Sequence, residues 1–202
     1  MVIKEIFGVV ALIITLVSCL PYLRDIFARK TTPHIYSWLI WAILQVVATI
    51  AILRENSFWS AIGVASAGLV SLIVFLLSFK YGTKNITLFD TVCLVGALIA
   101  IAFWIFANNV FVSIILVTLI DFIAFLPTYR KGFEEPYSET ISLFIFSAIS
   151  NLFSLLSINH YSIISSLYVA SLIATNTIFV IIVLSRRNIL KIKTYKNRYG
   201  GV

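Results

Sequence analysis

Long apolar stretches, each nearly free of charge, follow one another along almost the whole chain. They cover 6–23, 35–53, 57–79, 88–107, 110–128, 140–158 and 162–185, and charged residues, paired asparagines or Pro and Gly separate them. A bilayer core about 30 Å thick needs about 20 apolar residues of helix at 1.5 Å each. Each run has about that length. None alternates polar and apolar with period two, as the strand of a membrane barrel would, and backbone in lipid has to satisfy its own hydrogen bonds. The pattern predicts seven transmembrane helices, with the fourth and fifth separated only by Asn108-Asn109.

Composition narrows this to a single polytopic domain. Of 202 residues, 61% are hydrophobic and 11% charged, with mean hydropathy +1.06; a soluble domain has about 25% charged residues. The net charge of +7 lies mainly in the tail from Arg186 to Arg198, beside an apolar run. Attraction to anionic membrane lipid accounts for it more simply than nucleic acid does. Cys19 and Cys93 have neither disulfide-framework nor metal-site spacing. Residues 6–20 have the outline of a signal peptide but no A-x-A cleavage site, and Arg24 follows closely, so they read as the first span. If the N-terminus and the loops near 54–57, 108–109 and 158–161 face outside, that side holds Lys4 and Arg54 and the other holds the remaining 13 basic residues. The positive-inside rule then predicts a multi-pass protein of the cell (plasma or inner) membrane, N-terminus outside and C-terminus cytoplasmic.

The chain also repeats itself. Leu20-Pro21-Tyr22-Leu23-Arg24 returns as Leu126-Pro127-Thr128-Tyr129-Arg130, and Phe27 as Phe133, displaced by 106 positions. Ser37 matches Ser142, and Val64-Ala65-Ser66 matches Val169-Ala170-Ser171, displaced by 105. Three helices and one connecting helix make an even number, so the second copy enters the membrane in the same sense as the first. This predicts an all-α membrane protein of two parallel three-helix repeats joined by a linker helix, 3+1+3, one of the architectures of transporters. The expected divisions are 1–82 for the first triplet, 83–108 for the linker helix, 109–187 for the second triplet and 188–202 for a basic cytoplasmic tail.

With its Leu-Pro step and basic loop closing the first helix of each triplet, the chain resembles the PQ-loop superfamily of SWEET and SemiSWEET carriers, lysosomal amino-acid exporters and KDEL receptors. The resemblance covers roughly 5–185. Tyr22 and Thr128 stand where the family has glutamine, and helices 2 and 6 lack the prolines of its sugar-carrying branch. The resemblance implies a substrate-binding asparagine in the third helix of each triplet; Asn176 fits the second, and Ser71 stands at the matching place in the first.

Several residues carry candidate chemistry. Pro21 and Pro127 either end their helices or kink them as hinges above a cytoplasmic gate. Trp38, Trp41, Gln45 and Thr49 share one helix face, and Ser147, Ser150, Asn151 and Ser154 form a similar stripe. Polar stripes belong against protein or a wet cavity, whether as packing contacts or as a lining. Gln45 and Asn151 align within one residue between the repeats, and their amides both donate and accept. Trp38 suits an interface belt, and Trp41, deeper, suits stacking on a solute. Asp121 lies inside the fifth run, where a carboxylate needs a partner, water or a proton; proton coupling and a hydrogen-bonded structural role both remain open. Its counterpart in the first helix is Thr15. Asp90 reads as the N-cap of the fourth helix. Arg24, Arg29, Lys30, Arg130 and Lys131 face Glu134, Glu135 and Glu139 across the cytoplasmic surface, either as topology signals or as salt bridges between loops. His34 and His160 read as interfacial.

No catalytic residue, cofactor or metal ligand set stands out, so the expectation is not an enzyme. It is a carrier of a small neutral or zwitterionic solute (a sugar, amino acid or vitamin precursor) working by alternating access. Trp41, Gln45, Asn151, Asn176 and Ser71 would bind, Pro21 and Pro127 gate, and Asp121 couple to protons. A non-transporting receptor or assembly protein on the same scaffold is the alternative. The partners expected are a small-molecule solute and membrane lipid, with no nucleic acid; a homo-oligomer is left open.

Overall fold

Seven helices run through the described residues of the computed structural model, which are 2–54, 58–106, 109–158 and 161–199. They are α1 (Val2–Phe27), α2 (Ile35–Arg54), α3 (Phe58–Tyr81), α4 (Leu88–Ile105), α5 (Val110–Glu134), α6 (Ile141–Leu156) and α7 (Ile163–Tyr199). Five of them, α1, α3, α4, α5 and α7, contain stretches long and apolar enough to cross a membrane. α6, with 16 residues, spans about 24 Å at 1.5 Å per residue, short of the hydrocarbon core. The described apolar part of α2 is likewise short, Ile35–Thr49. The outer faces are bare hydrocarbon: Ile13, Val17 and Leu20 on α1 and Leu69, Leu76 and Phe79 on α3 are exposed. Patches of that kind are costly in water and ordinary in lipid, as expected of a multi-pass membrane protein.

Helix ends differ from the limits of the apolar runs. α1 continues through Pro21 and Arg24 to Phe27, α5 through Pro127 to Glu134, and α7 to Tyr199. Helical hydrogen bonds are local, and Arg, Lys and Glu form helix well, so a helix outlasts its greasy segment. Each proline lacks an N–H, which leaves the carbonyl four residues earlier, of Val17 or Ile123, without its helical donor. Asn109 caps α5, its Oδ1 accepting from the N–H groups of Phe111 and Val112 at 2.9 and 3.2 Å; Asn108 and His160 lie outside the described residues. The cap of α4 is Thr87, not Asp90. Asp90 is the third residue of that helix and accepts from the Thr87 N–H at 2.7 Å, closing a capping box.

α3 packs against both α1 and α2, and α7 packs against both α5 and α6. α1 lies along α6, and α2 along α5; α4 leans on α5 and more lightly on α2. Two glycines allow close approach. A Cβ on Gly68 of α3 would lie 3.0 Å from the Gln45 Cβ, and one on Gly132 of α5 would lie 2.5 Å from the Phe179 ring of α7. The starts of α2, α4 and α6 gather with the ends of α1, α3 and α5: Thr83 N–H donates to Pro33, and Thr32 N–H to Ser138, both at 3.1 Å. This is the basic end of the bundle. At the opposite end Lys4 donates to the Ile158 carbonyl and lies over the Tyr161 ring.

Candidate functional site

A closed circuit of seven aromatic rings crosses the bundle toward its basic end. Tyr22 meets Trp38, Trp38 meets Trp41, Trp41 meets Phe125, and Phe125 meets Tyr129. Tyr129 then meets Phe179, Phe179 meets Phe144, and Phe144 returns to Tyr22. Centroid separations run from 4.1 to 6.5 Å, and all but the closest, Phe144–Phe179, fall in the range of favourable ring pairs. The rings come from α1, α2, α5, α7 and α6. Trp38, expected at an interface, is instead buried in this circuit, because Tyr22 and Trp41 cover both its sides.

Beneath the circuit is a buried ionic floor. Arg130 grips Asp90 with Nε and Nη2 at 2.9 and 2.7 Å, and Nη2 also donates to the Asn85 carbonyl. His34 Nε2 lies 3.4 Å from Asp90 Oδ2, and neither side chain is exposed. That distance marks a pair in electrostatic contact without an aligned hydrogen bond, since both His34 nitrogens lack a hydrogen-bond partner. Burial pushes the His34 pKa down to about 4, and the Arg130 and Lys131 charges add to the fall while Asp90 opposes it. His34 is therefore a neutral buried group and not an interfacial one. Lys131 donates to Glu139 at 2.6 Å and to the Ser138 carbonyl at 3.1 Å, and Tyr22 donates to Glu139 at 3.3 Å. Burial raises the Glu139 carboxyl above the ordinary carboxylate range, opposed by the Lys131 ammonium.

Among the described residues the basic and acidic side chains of the two loops form no salt bridge from one loop to the other, which leaves topology signalling as the reading of the basic ones. Lys131–Glu139 and Arg130–Glu134 are local to one side, and Arg24 pairs with its neighbour Asp25. Hydroxyls make the link instead: Thr140 donates to Asp25 at 2.8 Å and shares a 2.5 Å hydrogen bond with Thr31.

One turn above the floor, where α2 meets α5, Ser37 donates to the Ala124 carbonyl at 2.6 Å and accepts from Thr128 at 2.8 Å. Farther in, the pairing stops. Asp121 is 1% exposed, and the indole of Trp41 interacts with its carboxyl. Yet Asp121 Oδ2, Trp41 Nε1 and Tyr168 Oη are all buried without a hydrogen-bond partner of normal geometry. The Asp121 charge also reaches the hydroxyls of Tyr168 and Tyr129, of which Tyr129 is satisfied by the Thr175 carbonyl at 2.8 Å. A buried polar atom left unpaired costs about 1–3 kcal/mol. Three together, from α2, α5 and α7, mark a place where the fold gives up stability.

The remaining candidates are more dispersed. Asn176 and Asn151 each bond their own helix, to the carbonyls of Leu172 and Ser147 at 2.7 and 2.8 Å. Gln45 is part-buried against Gly68, and Ser71 is buried on α3. Among the described residues no hydrogen bond joins these four to one another or to Asp121. Ser150 instead binds Thr15 and the Ala11 carbonyl, both at 2.8 Å. The Asp121 cluster thus unites two expected residues, Asp121 and Trp41, with one that the sequence reading passed over. Tyr168 was detectable: it is a lone tyrosine, 11 residues before Phe179 on the same helical face. Neither a family model, nor a curated protein, nor a solved structure matches the chain.

Proposed function

We propose that the protein is a membrane carrier built from two three-helix repeats around α4 as linker, with its basic end in the cytoplasm. The observation that carries this reading is the packing pattern. α3 contacts α1 and α2 as α7 contacts α5 and α6, and the cross-contacts α1–α6 and α2–α5 exchange under the same swap. This agrees with the 105–106-residue displacement in sequence and with the resemblance to the PQ-loop superfamily. Two such units rocking against each other would expose a mid-depth site to each side in turn. The aromatic circuit and ionic floor form the closed cytoplasmic gate, and Pro21 and Pro127 are its hinges. Asp121 is the proton-coupling group, and Trp41, Gln45, Asn151, Asn176 and Ser71 line the solute's path.

The test is uptake into proteoliposomes across a panel of small solutes, with and without a pH gradient. Saturable, gradient-dependent flux of at least one solute is expected, and Asp121→Asn should abolish its gradient-driven part. Flux of none, together with specific capture of a protein, would replace the carrier with a receptor on the same scaffold.

A further inference from the structure

We propose that the Asp121 cluster is a binding site for a small organic ammonium ion, which it takes up by giving up a proton. The proposal deepens the carrier reading: it names the chemical class of the occupant.

Charge sets the class. No Lys or Arg enters any of the seven apolar runs, 6–23, 35–53, 57–79, 88–107, 110–128, 140–158 and 162–185. The nearest cations along α5 are engaged, Arg130 with Asp90 and Lys131 with Glu139. A solute carboxylate would find no counter-charge at the depth of Asp121, whereas an ammonium would find one. The titratable groups that feel Asp121 are Tyr129 on its own helix and Tyr168 on α7. α2 brings only the indole of Trp41, and α4 carries its Asp90 and Cys93 near the basic end. None of these is a cation, so the carboxyl is balanced by a proton or by a ligand.

Geometry narrows the class further. Trp41, whose indole reaches the Asp121 carboxyl, packs 4.7 Å from Phe125, and Phe125 lies 5.3 Å from Tyr129; aromatic side chains next to a carboxyl are a setting that favours ammonium groups. The unpaired Tyr168 hydroxyl has lone pairs for an ammonium N–H, and the unpaired Trp41 N–H can only donate, which suits an ionised carboxylate. A sugar would need a ring of alternating donors and acceptors; the cluster offers one carboxyl, the Trp41 N–H and a single hydroxyl. When the ammonium arrives, the carboxyl O–H breaks, its proton leaves to water, and the carboxylate oxygen pairs with the cation. Release runs the same exchange backward, so the site holds a proton or a cation and never both.

The experiment titrates the purified full-length protein in detergent with choline and with n-butylammonium, against their uncharged counterparts 3,3-dimethylbutan-1-ol and butan-1-ol. Tryptophan fluorescence reads binding, and pH in a weakly buffered, mildly acidic solution reads proton release. Saturable binding of at least one ammonium is expected, with the neutral counterparts weaker by about tenfold or more and protons released as the cation binds. Asp121→Asn should lose both signals, and Asp121→Glu should keep proton release. Equal binding of charged and neutral probes, no binding of either ammonium, or undiminished binding by folded Asp121→Asn overturns the proposal. Should the Asn variant fail to fold, charge discrimination and proton release in the unaltered protein decide alone. Ammonium binding without flux in proteoliposomes would retire the carrier and keep the site; flux of an uncharged solute without ammonium binding would do the reverse.

Discussion

The seam between α1 and α6 and the seam between α2 and α5 occupy corresponding places in sequence, yet they are finished differently. In the first, Thr15 donates to the Ala11 carbonyl at 3.0 Å and pairs with Ser150, which donates to the same carbonyl; Ser18 donates to Thr15 at 2.8 Å. In the second, the residue 106 positions after Thr15 is Asp121, and three buried polar atoms around it stay unpaired. A completed network holds two helices together. An incomplete one gives up that stability, as the proposed binding site would.

Four changes would break or sharpen that contrast. The largest effect should come from the floor shared by both seams: Lys131→Ala leaves Glu139 buried without its cation and should cost about 3–5 kcal/mol, read as a fall in thermal unfolding temperature in detergent. Next is acid. Neutral His34, with its pKa at about 4 against an ordinary 6.5, binds its proton more readily in the unfolded chain. Its contribution is complete above about pH 6.5 and is lost as pH falls through 4, amounting to roughly 3 kcal/mol. His34→Gln should flatten that part of a stability-against-pH profile. Gly132→Ala should cost about 1–3 kcal/mol by forcing α5 away from Phe179 beside the second seam, visible in the same melting assay. Smallest and most telling are the seam residues themselves. Thr15→Val should lower stability by about 1 kcal/mol, whereas Asp121→Leu, which removes an unpaired group, should leave it unchanged or raise it. Equal losses at both would end the contrast.

The spacing of charge-free runs located all seven helices, because an apolar stretch of that length is written along the chain; that all seven cross a membrane is the expectation, and within the described residues five are long and apolar enough to do so. The helix ends were less legible, since the segments after Pro21 and Pro127 stay helical through local bonds that hydropathy does not report. Burial at the basic end was hardest to read. His34 and Trp38 stand beside charged loops in sequence, and they are enclosed by residues from other helices, Asp90 against His34 and Tyr22 against Trp38. Opposite charges in the two loops suggested pairs, but Lys131 found Glu139 eight positions on, and the loops joined through threonines. Asp121 was conspicuous as an acid in an apolar run; its neighbours Trp41 and Tyr168 come from other helices, and no spacing along one helix could assemble them.

The aromatic circuit has a mechanical consequence. Each of its five helices touches two neighbours through rings, so none can swing outward without parting two contacts together. The resistance is met in one lump at the outset and falls away afterwards, like a hoop that holds until it snaps. In the proposed carrier, half-open arrangements would keep little of the ring packing and have little to replace it, so the gate would stand either shut or fully parted.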